Sequence, residues 1–289
     1  PISPEMTAAG LRRLVRGLLK KLLLAESAAA VANAVYALAP EQLGMGLAWL
    51  GAVSYCFQIF FDFSGYSDMA IGLGRIFGFR YLENFDYPYI SASITEFWRR
   101  WHISLSTWFR DYVYIPLGGN RCGLARQALN LLIVWSLTGF WHGAGWNFVM
   151  WGLYYFVILF IEKLFLLKAL DKLPKLFRHV YALLLIVIGW VIFASDDVSV
   201  LLPYLGSMFG ANGAVGGMDV YTLFTKAALL IICCVASTEL PKRLFLSATG
   251  AMNEKAAFTI KSVMTIALLA LSMILLIGDS YNPFLYFRF

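Results

Sequence analysis

The sequence predicts an all-α fold, a polytopic transmembrane helix bundle with interfacial or re-entrant helices. Three observations carry this expectation. Hydrophobic residues make up 60% of the 289 residues and charged residues only 14%, against roughly 25% charge in soluble domains. The mean hydropathy is +0.71, and apolar runs recur at near-spanning length. The segments between them alternate in charge, as a chain crossing back and forth requires. About six or seven crossings fit this length, in one domain over residues 1–289.

The composition also excludes functions. A net charge of +6 suits basic loops on the cytoplasmic side. No basic groove interleaved with aromatics accompanies it, so no nucleic-acid partner is expected. Cys56, Cys122, Cys233 and Cys234 form no CxxC pair, so packing is expected of them rather than a metal site or disulfide framework. The chain opens on Pro1, without an initiator Met or signal peptide. Upstream spans are therefore expected to be missing.

The first segment, Gly10 to Leu38, opens with Arg12, Arg13, Arg16, Lys20 and Lys21 before an alanine- and leucine-rich run. It reads as a basic amphipathic start lying at the membrane surface. Gly46 to Phe63 is the first crossing, and it runs on through Asp62 to Phe79. Gly72 and Gly74 are followed by Gly78, which breaks the GxGxxG spacing, and no strand precedes them. Close helix approach is the expected use of these small residues. Asp62 and Asp68 beside a span need partners or a wet cavity. Pairing with Arg75 or Arg80 is the leading expectation, and a role in orienting a histidine is the second.

Ser93 to Glu96 has the form of a capping box. The helix it opens, read as continuous to Tyr114, places Glu96 and Arg100 four residues apart. It carries too many charges to cross lipid alone, and its aromatics suit an interfacial or bundle-packed helix. His102 is expected on its face with Trp98 and Ser106 one turn away, as a structural histidine or a second active-site group. Ile115-Pro116 ends this helix, and Gly118 to Arg121 makes a turn. Leu129 to Trp141 is a short apolar helix of roughly 20 Å at 1.5 Å per residue, which would leave His142 recessed below the far surface.

Thr138 to Gly152, TGFWHGAGWNFVMWG, concentrates the chemistry. It sets His142 among Trp141, Trp146 and Trp151 with Gly143 and Gly145 nearby. An ionisable residue in such sequence is expensive and marks function. The second span of this pair runs from Trp146 to about Phe160. Lys168 to His179 holds four Lys or Arg residues and is placed inside, with His179 as a surface residue. Tyr181 to Ala194 crosses. Ser195 to Asp219, with three aspartates and no Lys or Arg, lies outside. Tyr221 to Val235 returns, Lys242 and Arg243 lie inside, Ser262 to Ile277 crosses, and Gly278 to Asn282 emerges outside.

A neutral imidazole of ordinary pKa about 6.5 accepts a proton from an alcohol attacking an acyl carbon. The glycines would let backbone approach a substrate, the tryptophans would line its channel, and Asn147 could orient a carbonyl. No GxSxG elbow, P-loop or HExxH site is present. A triad from Ser64 or Ser67 with Asp68 and His142 is a weaker alternative.

Three stretches, FFDFSGYSDMAIGLGRIFGF, NFDYPYISASITEFWRRWHISLSTWFRDYVYIPLGGNR and TGFWHGAGWNFVMWG, with the terminal NPFLYFRF, resemble the membrane-bound O-acyltransferase family. They are most similar to its bacterial alginate O-acetylation branch, with teichoic-acid D-alanyl transferases nearby. The resemblance implies a helical bundle around a central funnel, of which this chain is the C-terminal part. It implies that His142 occupies the position of the essential histidine and His102 that of a second one. Trp141, Trp146, Asn147, Asp68, Trp98 and Arg99 are then expected along the substrate channel. The implied activity is transfer of an acetyl or other acyl group from a cytoplasmic acyl thioester such as acetyl-CoA to hydroxyls of an exported polysaccharide. Transfer would be direct or through a periplasmic acyltransferase partner, in the bacterial inner (cytoplasmic) membrane. No tightly bound cofactor and no metal is expected. D-alanyl transfer to teichoic acid is the alternative enzyme. A transporter or channel gated by His142 is the alternative of another class.

Overall fold

The computed structural model describes residues 2–278. The terminal NPFLYFRF and the expected exit after Gly278 lie outside the described residues. Within them every regular element is a helix and none is a strand.

Helix α1 (Pro4–Leu19) starts where Ser3 accepts a hydrogen bond from the Met6 N–H at 3.2 Å, with Pro4 in the first turn. It passes through a wider π turn, Lys20–Ala25, into α2 (Glu26–Tyr36). Helix α3 (Met45–Ile76) is 32 residues long. It spans about 48 Å at 1.5 Å per residue, more than the hydrocarbon layer, and so extends beyond it or tilts. Gly78, at φ +86°, ends it. Helix α1 packs antiparallel on the second half of α3, where a Cβ on Gly10 would lie 2.6 Å from the Gly72 carbonyl oxygen. Gly72 thus serves close helix approach, as its sequence setting suggests.

Among the described residues the ion pairs of Asp62 and Asp68 run to α1 and the π turn after it, rather than to Arg75 or Arg80. The π turn carries two consecutive lysines to α3: Lys20 Nζ meets Asp68 at 2.8 Å and Lys21 Nζ meets Asp62 at 2.7 Å. Arg13 adds a contact to Asp68 at 2.9 Å and one to Glu83. Arg75 lies two turns beyond Asp68 on α3 and Arg80 lies past its end, whereas α1 lies alongside.

The charged helix expected from Ser93 to Tyr114 is two helices, α4 (Ile94–Arg100) and α5 (Ile103–Phe109), followed by a π turn at Arg110–Tyr114. Trp101 is extended and His102 is left-handed, at φ 46°. Trp101 is 3% exposed and packs on Phe85, Phe97 and Trp190 at ring distances of 4.8 to 5.6 Å. Burying that indole overrides the local helical propensity.

The remaining helices are α6 (Leu124–His142), α7 (Trp146–Ile161), α8 (Leu167–Leu170), α9 (Lys175–Ala194), α10 (Val198–Met208), α11 (Gly217–Ala236), α12 (Leu240–Gly250) and α13 (Glu254–Gly278). Helix α10 lies within the segment expected to be an outside loop. Among the described residues four helices, α3, α9, α11 and α13, are long and apolar enough to cross a membrane. The larger number expected counted α6 and α7 as crossings. Helix α6 has 19 residues, about 28 Å at 1.5 Å per residue, so a short helix does not account for a recessed His142.

Candidate active site

Helices α6 and α7 form a tight antiparallel pair, because Gly139 and Gly152 face backbone. A Cβ on Gly139 would lie 2.5 Å from the Phe148 carbonyl oxygen, and one on Gly152 would collide with the Trp135 carbonyl. The pairing places His142, the last residue of α6, beside the first turns of α7. Its ring lies 4.9 Å from Trp141, 5.0 Å from Trp151 and 5.1 Å from Phe193 between centroids, with Phe148 at 6.4 Å. No hydrogen bond engages its nitrogens among the described residues, so the imidazole keeps a lone pair for chemistry.

Only part of this wall comes from the tryptophans expected to build it. Trp146 points outward, 74% exposed, and makes no ring contact with His142 among the described residues. Its place is taken by Phe148 and by Phe193. Phe193 lies on α9, in a run that reads from sequence only as one more crossing. Asn147 is 1% exposed and donates its amide N–H to the Phe193 carbonyl at 2.9 Å. It braces α7 against α9 and thereby holds Phe193 over the histidine. Gly143 and Gly145 face Phe148 and Asn147, so this backbone is covered by protein side chains.

His102 is 8% exposed. It lies in the turn between α4 and α5, not on a helix face. Phe63 stands 4.7 Å from its ring and Trp141 5.8 Å, both edge-on. Trp141 therefore touches both histidine rings, which the sequence separates by a whole helix. Ser106 Oγ donates to the Trp98 carbonyl at 3.3 Å, tying α5 back to α4. Trp98 packs against Trp135, Trp151 and Tyr155 at 4.8 to 5.5 Å, one ring away from His142. Arg99 is exposed and Asp68 is occupied by Arg13 and Lys20; neither touches a histidine among the described residues. Ser64 and Ser67 take hydrogen bonds from Lys20 and Asn84, which leaves the serine triad without support.

Glu162 carries a positioning role that sequence reading passed over. It is fully buried. Its carboxylate accepts from the Ile94 and Thr95 N–H groups at 2.8 and 2.7 Å, the Thr95 hydroxyl at 2.6 Å and the Tyr181 hydroxyl at 3.1 Å. A negative group at the N-terminus of α4 is favourable, and it locks the start of the segment that ends in His102. The capping pair completes the turn, with the Glu96 N–H donating to Ser93 Oγ at 3.0 Å. His179 is not merely a surface residue, since its Nδ1 lies 3.0 Å from the Ser91 carbonyl and pins α9 to the same turn. Outside the long helices, Arg13 hydrogen-bonds Glu83 and holds its carboxyl below the usual 4.5.

Known proteins align with this arrangement. Residues 2–194 match the model of the MBOAT, membrane-bound O-acyltransferase family. The chain is similar to the probable alginate O-acetylase AlgI of Azotobacter vinelandii, with 38% identity over 98% of this chain and 62% of that protein. It is 40% identical to the probable alginate O-acetylase AlgI of Pseudomonas putida, over 97% of this chain and 61% of that protein. It is also 40% identical to a peptidoglycan O-acetyltransferase of Helicobacter pylori, over 68% of this chain and 38% of that protein. The chain spans about three fifths of the length of the two alginate relatives.

Proposed function

Because the chain belongs to the membrane-bound O-acyltransferase family and is a multi-pass helical membrane protein, we propose that it transfers an acetyl group from an acyl thioester to hydroxyls of an exported polysaccharide. The observation that carries this reading is the His142 ring, walled by Trp141, Trp151 and Phe193 with its nitrogens unengaged among the described residues. His142 takes the proton of the acceptor hydroxyl as that oxygen attacks the thioester carbonyl. The tetrahedral adduct collapses, the C–S bond breaks, and the departing thiolate receives the proton from His142. Alcohol and thioester become ester and thiol, and the imidazole is regenerated neutral. His102, which also meets the Trp141 ring, assists.

The relatives named alginate O-acetylase support a uronic-acid polysaccharide as acceptor, since they align with nearly the whole chain. The donor is acetyl-CoA or another thioester from the cytoplasmic side. The acetyl group reaches the polymer directly or through a periplasmic acyltransferase, and the site works in the bacterial inner membrane without a bound cofactor. Trp98, Trp141, the outward Trp146, Arg99 and Asp68 are assigned to the substrate route. Labelled-acetyl transfer in membranes carrying wild type and His142→Ala tests the assignment. Loss of transfer at equal protein level is expected, and full transfer in His142→Ala would overturn it.

A further inference from the structure

His102 caps the helix that follows it with its own ring. The first N–H groups of a helix have no partner within it and need acceptors from elsewhere. In α5 the Ile103 N–H donates to the Asn84 carbonyl at 3.0 Å, and the Ser104 N–H donates to Asn84 Oδ1 at 3.2 Å. The Leu105 N–H donates to His102 Nδ1 at 3.3 Å. A backbone N–H cannot give up its proton, so Nδ1 must be the bare nitrogen. In a neutral ring the proton then resides on Nε2. Ser104 Oγ, 3.4 Å from Nδ1, already donates its proton to Asn84 Oδ1 at 2.9 Å and does not alter this.

Nε2 is buried and has no hydrogen-bond partner among the described residues. Buried donors are almost always satisfied, so one left open beside a reactive group points to an acceptor that arrives with a ligand. The ring lies between Phe63 and Trp141, and Trp141 also touches His142. Trp141 is 45% exposed and is the least confined neighbour of the pair. His102 holds a left-handed backbone, and such strained conformations cluster at active sites and ligand clamps.

We propose that His102 is a fixed hydrogen-bond donor and not a second base: its Nε2–H binds the acyl carbonyl oxygen of the thioester and holds the negative charge that develops there. This rests on the acyl-transfer reading above. The proton of the acceptor hydroxyl goes to His142 and the new C–O bond forms. The carbonyl π pair moves onto oxygen, where the Nε2–H holds it, and returns as the C–S bond breaks. The thiolate takes its proton from His142. His102 gains and loses none.

Nitrogen NMR of the 15N-histidine-labelled protein in lipid bilayers reads the tautomer directly, with the His102 signals identified by their loss in His102→Gln. A bare Nδ1 and a protonated Nε2 across neutral pH are expected. A protonated Nδ1, or a doubly protonated ring, would overturn the proposal whatever the activity. In the transfer assay His102→Ala should lower kcat by roughly 10²- to 10³-fold with KM little changed, the usual loss for one oxyanion donor. His102→Gln retains an N–H and should recover part of that loss. The acid limb of the pH profile should persist in both variants, because it belongs to His142. A glutamine variant no better than alanine, or loss of the acid limb, would refute the donor role. Full activity in His142→Ala would remove the base from the reading above, while the His102 resonances would still decide its tautomer.

Discussion

Trp141 meets the buried His102 ring edge-on with centroids 5.8 Å apart, and it meets its sequence neighbour His142 edge-on at 4.9 Å. A single indole thus touches two imidazoles, one in the α4–α5 turn and one at the end of α6. Trp141→Ala should remove this shared contact and let both rings relax. A misplacement of about 1 Å at reacting groups costs up to ~10²-fold, so a drop of that order in acyl transfer is expected. Trp141→Phe should retain more. The labelled-acetyl assay at matched protein level checks both.

Glu162 is the anchor of the His102 segment. Glu162→Ala strands the Ile94 and Thr95 N–H groups that it now satisfies. Buried donors left without an acceptor cost about 1–3 kcal/mol each. The variant should melt well below wild type in detergent, and Glu162→Gln, which keeps one carbonyl acceptor, should fall between them.

The α6–α7 pairing is sensitive to a single methyl group. Gly152→Ala would drive its Cβ into the Trp135 carbonyl, and overpacking of this kind costs about 1–3 kcal/mol. Helix α7 carries Phe148 and Trp151, so the shift also disturbs the wall around His142. A lowered melting temperature together with reduced transfer is expected.

Lys21 and Asp62 are a buried pair, at 9% and 3% side-chain exposure. Lys21 also pairs with Glu26 at 2.6 Å, so Lys21→Met takes a shared lysine from two carboxylates and should destabilise by about 3–5 kcal/mol. Lys21→Met with Asp62→Leu should recover only part of that loss, because Glu26 still lacks the lysine. Thermal unfolding of the two singles and the double gives the coupling.

Glu83 supplies a pH dependence outside the long helices. Hydrogen bonding to Arg13 lowers its carboxyl below 4.5 in the folded protein. A lowered folded value means stability is present above 4.5 and is lost as pH falls through the folded value. Because the Glu83 side chain is 55% exposed, the effect is small. Glu83→Gln should flatten the acid end of a stability–pH curve slightly, and an unchanged curve would remove the pair from that response.

By itself the sequence determined the all-helical membrane class, the family resemblance and the setting of His142 among aromatics. Composition and local spacing carry these, because each depends on residues close together in the chain. The Ser93 cap and the Glu96–Arg100 pair, 3.0 Å apart, were legible for the same reason. The tertiary structure alone decided that Lys20 and Lys21 neutralise Asp68 and Asp62, and that Phe193 replaces Trp146 over the histidine. It also decided that Glu162 holds the start of α4 and that the helix breaks at His102. Each of those depends on which helix lies alongside, and the burial of side chains such as Trp101 outweighs what the local sequence prefers.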